Sequence, residues 1–217
     1  ADFVGSGIAP DAADPEHYFR IASQSKIGVF AAHFGLISHY GSDYKKIPYL
    51  VKLNGKTNLV PTSDKDPLSV AWYNFDQILS FKKESGLNIL GVGYTIYLGS
   101  QYEEQMLKEA AQFIYEAHSR GMLSVIWVYP RGKAVKDEED LNLIAGAAGV
   151  VACLGADFVK LKYPFDKKTP TSSAEKYKEV IVAGGRTGVI CVGGSKQSPD
   201  IFLQTIHDQL HISGSRG

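Results

Sequence analysis

The sequence is poor in the residues that would tie it to several large functional classes. It has only 2 cysteines, Cys153 and Cys191, on different segments and in no CxxC pattern. Disulfide frameworks and thiolate metal sites need paired cysteines, so the two thiols read as reduced core residues of a cytosolic protein. An excess of charge of one sign is missing as well: 23 Lys and Arg balance 23 Asp and Glu. With no basic stripe there is no footprint for nucleic acid. No run of about 18 apolar residues occurs, so no membrane span is expected. The 6 histidines form no ligand set, because His207 and His211 lack both the HExxH glutamate and a nearby cysteine. No metal and no cofactor is expected. No low-complexity linker divides the chain, and residues 1–217 read as one domain.

What the sequence does have is a repeated unit of short apolar strand, loop and amphipathic helix. Strands are predicted at Ile27–Ala31, Tyr49–Asn54, Ile89–Thr95, Leu123–Tyr129, Phe158–Lys162 and Gly188–Val192. Helices are predicted at Pro15–Ser23, Pro67–Ser85, Tyr102–Arg120, Glu138–Leu154, Ser173–Ala183 and Pro199–Leu210. Asp14-Pro15, Asp66-Pro67 and Ser198-Pro199 each place a capping side chain before a proline at the first helical position. Gly86 and Gly121 follow helices where a left-handed residue is wanted. Strand alternating with helix implies a parallel sheet, either open or closed as a barrel.

The segment Phe158-Val-Lys-Leu-Lys-Tyr-Pro164 carries the chemistry. Side chains alternate along a strand, so Lys160 and Lys162 share one face while Val159 and Leu161 take the other. If the apolar face packs on helices, both amines point into the centre of the sheet. Burial and a like-charged neighbour each disfavour the ammonium form. A neutral lysine attacks carbonyls, which is the requirement for a Schiff base. Residue chemistry alone does not choose between Lys160 and Lys162, and a wet lysine edge on a surface strand is the plainer reading.

The other strands favour closure. Lys52 and Asn54 share one face of their strand, and Trp127 and Tyr129 share one face of theirs. A strand covered on both sides of an open sheet would be almost continuously apolar. Large polar and amphipathic groups on one side, near the carboxyl end, suit a (β/α)8 TIM barrel with its site at the C-terminal rim. Six strands are readable, whereas such a barrel needs eight. Both ends look cut, and the expectation is a barrel lacking its first strand and its last strand with the following helix.

Three motifs point to a family: Trp127-Val-Tyr-Pro-Arg-Gly132, Gly155-Ala-Asp-Phe-Val-Lys160-Leu-Lys-Tyr163 and Gly193-Gly-Ser195. Together with Ile47-Pro-Tyr-Leu-Val-Lys-Leu-Asn54 and Gly93-Tyr-Thr-Ile-Tyr-Leu-Gly-Ser100, the chain resembles the archaeal-type class I fructose-bisphosphate aldolases. The resemblance implies a metal-independent, homo-oligomeric enzyme that forms an imine with a phosphorylated sugar. It matches Lys160 to the imine lysine, leaving Lys162 as a neighbour that helps to depress its pKa. It matches Tyr129 to the proton donor and acceptor, and Trp127 to an aromatic that positions the substrate. Gly193, Gly194 and Ser195 would form half of a phosphate site, with Lys196 adding charge. Lys52 and Thr95 would line the pocket. An acidic residue of the first strand and a Gly-Arg stretch of the eighth, both expected in the family, do not fall within the sequence. Two rivals stand beside this reading: a sister Schiff-base aldolase, transaldolase or thiolase-like enzyme on another phosphorylated sugar, and a non-catalytic barrel subunit.

Overall fold

The computed structural model describes residues 14–57, 66–164, 170–193 and 198–217. In chain order the elements are α1 (Pro15–Gln24), β1 (Phe30–His33), α2 (Phe34–Tyr40), β2 (Tyr49–Lys52), α3 (Phe75–Ser85) and β3 (Ile89–Leu98). Then follow α4 (Glu103–His118), β4 (Leu123–Pro130), α5 (Leu141–Leu154), β5 (Phe158–Leu161), α6 (Pro170–Gly184), β6 (Gly188–Cys191) and α7 (Pro199–Asp208), the last running into a π-helical turn, Gln209–Ser213. The strands form one parallel sheet in the order β1-β2-β3-β4-β5-β6. This is six consecutive strands of a TIM-barrel-like fold.

The two faces of the sheet differ as the alternation predicts. One face carries Tyr49, Val51, Ile89, Val92, Ile96, Ile126, Val128, Val159, Leu161 and Val189, all buried in the core under the helices. Each such side chain contributes about 1.5–3 kcal/mol of burial. The opposite face carries Lys52, Gly93, Thr95, Trp127, Tyr129 and Lys160, brought level by the strand register. Fold and site therefore share the strands but use alternate residues.

Several boundaries move for identifiable reasons. The helix expected from Pro67 starts only at Phe75, where Asn74 and Gln77 form a capping box. Asp66 does not cap it: its carboxylate accepts from the Lys133 backbone N–H at 3.0 Å and pairs with the Lys133 amine at 3.1 Å. The helix expected from Glu138 starts at Leu141, because Asp140 accepts from the N–H groups of Asn142 and Leu143. Ser198 precedes Pro199 without a side-chain cap bond, whereas Asp14 does accept from Glu16 N–H. The short helix α2 was not expected; Phe-Gly-Leu-Ile-Ser-His-Tyr has a glycine and no side-chain cap to announce it. Gly86 (φ 64°) and Gly121 (φ 65°) take the left-handed conformation expected of them.

Cys191 is buried in β6, but Cys153 is exposed on α5, so only one of the two thiols is a core residue. Burial pushes the Cys191 thiol up to about 11. The edge of β6 is partly covered by the chain's last residues: Arg216 N–H donates to Val189 O at 2.7 Å, and Cys191 N–H donates to Gly217 O at 2.6 Å. No helix among the described residues is long and apolar enough to cross a membrane.

Candidate active site

The site is organised by a row of register partners across three strands. Thr95 on β3 lies opposite Trp127 on β4, and Trp127 lies opposite Lys160 on β5. The Lys160 amine is 5.9 Å from the centroid of the Trp127 indole. Lys160 is half-buried, and desolvation alone holds its pKa below the ordinary lysine value. Gly93 makes room for this arrangement, since a Cβ there would lie 2.3 Å from the Trp127 ring and 2.7 Å from Leu50.

Lys52 approaches the same indole, 5.2 Å from its centroid. It is 5% exposed, and its amine donates to Asn54 O (3.0 Å), Asn54 Oδ1 (3.2 Å) and Thr95 Oγ1 (2.6 Å). The fully buried Asn54 substitutes for a peptide group where β2 has ended. Its amide donates to Ser69 O and Thr95 O, both at 2.9 Å, and its oxygen accepts from Thr95 N–H at 2.7 Å. Lys52 and Thr95 are thus buried and bonded to each other, bracing the face that carries Trp127.

Tyr129 lies two residues beyond Trp127 on the same face, nearer the carboxyl end. Its ring is 6.2 Å from that of Tyr97, its register partner on β3. The Arg131 guanidinium carbon is 5.8 Å from the centroids of both rings. Glu138 holds Arg131 through two parallel hydrogen bonds, of 2.6 and 2.8 Å. The same carboxylate accepts from the Lys162 amine at 2.9 Å. Arg131's hydrogen bond, helped by Lys162, draws Glu138 down to about 2 against the effect of burial.

Lys162 departs from its expected part. β5 ends at Leu161, and the Lys162 ammonium is neutralised by Glu138, with Glu139 a further 3.9 Å contact. The depression at Lys160 comes from burial, not from a charged neighbour. Gly193 is exposed two residues after β6, at the same end of the sheet as Lys160. Gly194, Ser195 and Lys196 lie outside the described residues.

Sequence reasoning passed over Arg131 and Glu138. Arg131 sits inside a quoted motif, but Glu138 reads as the first residue of a helix, and only the fold brings it to the end of β4. A second polar cluster, at the other end of the strands, invites a hydrolase reading and fails on geometry. His118 Nε2 is 2.9 Å from Asp157 Oδ2 and 3.2 Å from Ser124 Oγ. One ring nitrogen thus meets both partners, whereas a relay needs one nitrogen for each. Burial works against the Asp157 carboxylate, yet hydrogen bonds from Ser124 and His118 outweigh it and hold its pKa below the usual range. Ser124 and Asp157 tie the start of β4 to that of β5. No group of three or more His, Cys, Asp or Glu suited to a metal occurs among the described residues.

A desolvated lysine among aromatic and hydrogen-bonding groups, toward the carboxyl ends of parallel strands, has the surroundings that carbonyl chemistry on a barrel framework requires. Residues 4–217 match the sequence profile described as DeoC/LacD family aldolase. The chain is 56% identical over 216 residues to the fructose-bisphosphate aldolase/6-deoxy-5-ketofructose 1-phosphate synthase of Methanocaldococcus jannaschii, covering 100% of this chain and 68% of that protein. The solved fructose-bisphosphate aldolase of Slackia heliotrinireducens superposes with a TM-score of 0.90 at 49% identity, over 99% of this chain and 67% of its own. An archaeal fructose-1,6-bisphosphate aldolase, solved with its catalytic lysine covalently bound to the carbinolamine intermediate of the substrate, gives a TM-score of 0.76 at 30% identity, over 96% of this chain and 76% of its own. The chain belongs to the DeoC/LacD family of aldolases and, within it, to the archaeal-type class I fructose-bisphosphate aldolases.

Proposed function

We propose that Lys160 is the imine-forming lysine of a class I fructose-bisphosphate aldolase and that Tyr129 is its acid/base. The observation that carries this reading is the desolvated Lys160 amine beside Trp127, one strand away from the β4 face that bears Tyr129. The neutral amine attacks the C2 ketone of fructose 1,6-bisphosphate, the carbinolamine loses water to give an imine, and the imine takes up a proton from solvent to become the iminium. The Tyr129 oxygen takes the proton of the C4 hydroxyl as the C3–C4 bond breaks, and the bonding pair flows into the iminium to leave an enamine. Glyceraldehyde 3-phosphate departs. Tyr129 then gives its proton to C3 of the enamine, restoring the iminium, and hydrolysis releases dihydroxyacetone phosphate and the free lysine.

Trp127 packs beside the reacting carbon, and its indole limits the water around Lys160. Gly193, Gly194 and Ser195 contribute to a phosphate site through backbone N–H groups and the serine hydroxyl. The test is substrate-dependent inactivation. Borohydride should inactivate the enzyme only when fructose 1,6-bisphosphate or dihydroxyacetone phosphate is present, and equal inactivation without sugar would overturn the reading.

A second activity is consistent with the same site. An enamine on Lys160 can add to another carbonyl compound in place of glyceraldehyde 3-phosphate. That would give this chain the synthase activity by which the M. jannaschii relative is also named. Incubating the enzyme with fructose 1,6-bisphosphate and other small aldehydes, and looking for a new ketose phosphate, tests it.

A further inference from the structure

Arg131 begins where β4 has ended, and its backbone N–H donates to Leu98 O at 2.7 Å. That bond fixes the origin of a long side chain but leaves its head undetermined, since an arginine carries several rotatable bonds. The head is determined by Glu138, which grips it through both carboxylate oxygens. A fork-to-fork pair sets the plane of the guanidinium as well as its position. In that position the guanidinium lies equally near the rings of Tyr97 and Tyr129. Glu138 meanwhile keeps the Lys162 ammonium on the same carboxylate.

We infer that Glu138 is a positioning residue for the acid/base step: it holds Arg131 over the Tyr129 ring and binds Lys162 away from that role. The inference rests on the reading of Tyr129 as the acid/base. A cation held beside a phenol stabilises negative charge on its oxygen, and a phenolate-like Tyr129 is what takes the C4 hydroxyl proton. The interaction is reciprocal, since Tyr97 and Tyr129 both favour the charged form of Arg131. In the contacts described, the charged and titratable groups tied to Tyr129 are Tyr97 from β3 and Arg131 after β4, with Glu138 on Arg131 and Lys162, just past β5, on Glu138. Glu138 joins two of them. Removing its charge frees the guanidinium to leave the tyrosines and releases a second cation into the same space.

This predicts a division between the steps that a merely structural role would not produce. Imine formation depends on Lys160, which Glu138 does not touch in the contacts described; carbon–carbon cleavage depends on Tyr129. In Glu138→Gln, substrate-dependent borohydride trapping should stay within twofold of wild type, while kcat for fructose 1,6-bisphosphate cleavage falls at least tenfold. Glu138→Asp, which keeps the charge and a two-oxygen grip, should recover most of that loss. In a Tyr129→Phe background, Glu138→Gln should cost no more than twofold further.

Cleavage by Glu138→Gln within twofold of wild type would overturn the inference. So would a parallel fall of trapping and cleavage, or a full tenfold penalty in the Tyr129→Phe background. If instead the wild-type enzyme shows no substrate-dependent trapping, the aldolase reading fails and the inference falls with it.

Discussion

Trp127 and Lys160 are direct register partners on adjacent parallel strands, and the lysine amine lies 5.9 Å from the indole centroid. The pairing makes the environment of the amine a property of the sheet. To move the lysine relative to the indole, β4 would have to slip against β5, and a one-residue slip would turn every side chain of a strand to the other face. Gly93, the residue over which the indole lies, completes the arrangement from β3.

Replacing Tyr129 by phenylalanine separates the two halves of the mechanism. The ring and its packing against Tyr97 remain, and only the hydroxyl is lost. Substrate-dependent imine trapping should persist, while cleavage slows by about 10²–10⁴-fold, the usual contribution of a general acid/base. Single-turnover kinetics with fructose 1,6-bisphosphate measure both, and an unchanged cleavage rate would remove Tyr129 from the role.

Asn54→Ala should lower stability without removing any reacting group. The substitution strands Thr95 N–H in a fully buried place and removes one acceptor of the Lys52 amine, while Ser69 O keeps the Tyr94 hydroxyl as its donor. Buried groups left unpaired cost about 1–3 kcal/mol. Urea unfolding should show an earlier midpoint with an unchanged slope; an unaltered midpoint would mean that the junction of β2 and β3 does not depend on this amide.

Acid stability provides a third test, through Glu138. Its folded-state pKa, about 2, lies below the reference value of 4.5. A carboxylate depressed in this way contributes stability that is present above the reference value and lost as pH falls toward the folded one. Wild type should therefore lose stability more steeply than Glu138→Gln between about pH 4.5 and pH 2, and the two should differ most at neutral pH. Thermal midpoints across that range show it. Parallel curves would mean that the Arg131–Glu138–Lys162 cluster is not coupled to folding.

The framework of this protein was legible because it rests on local patterns. Alternation located all six strands to within a few residues, and it placed Lys52, Trp127, Tyr129 and Lys160 on one face before any coordinates. What escaped depends on contacts between distant segments. Asp66 and Glu138 both look like helix-starting acids, but one is taken by Lys133 and the other by Arg131 and Lys162. Lys162 falls one residue past the end of β5, so the alternation that puts Lys160 on the inner face does not extend to it. No residue within β5 marks the point at which the carboxylate of another loop captures it. Residue chemistry left the choice between Lys160 and Lys162 open and the family resemblance made it; what supports the proposed Lys160 is its desolvated amine at the register of Trp127, beside a Lys162 that is salt-bridged to Glu138.

The assignment of Lys160 is tested most directly by locating the covalent adduct. The enzyme is incubated with dihydroxyacetone phosphate, reduced with borohydride, digested, and its peptides are sequenced by mass spectrometry. A single reduced adduct is expected on Lys160, and none in a Lys160→Ala variant that retains its fold. An adduct on Lys52 or Lys162, or undiminished labelling of the variant, would contradict the assignment.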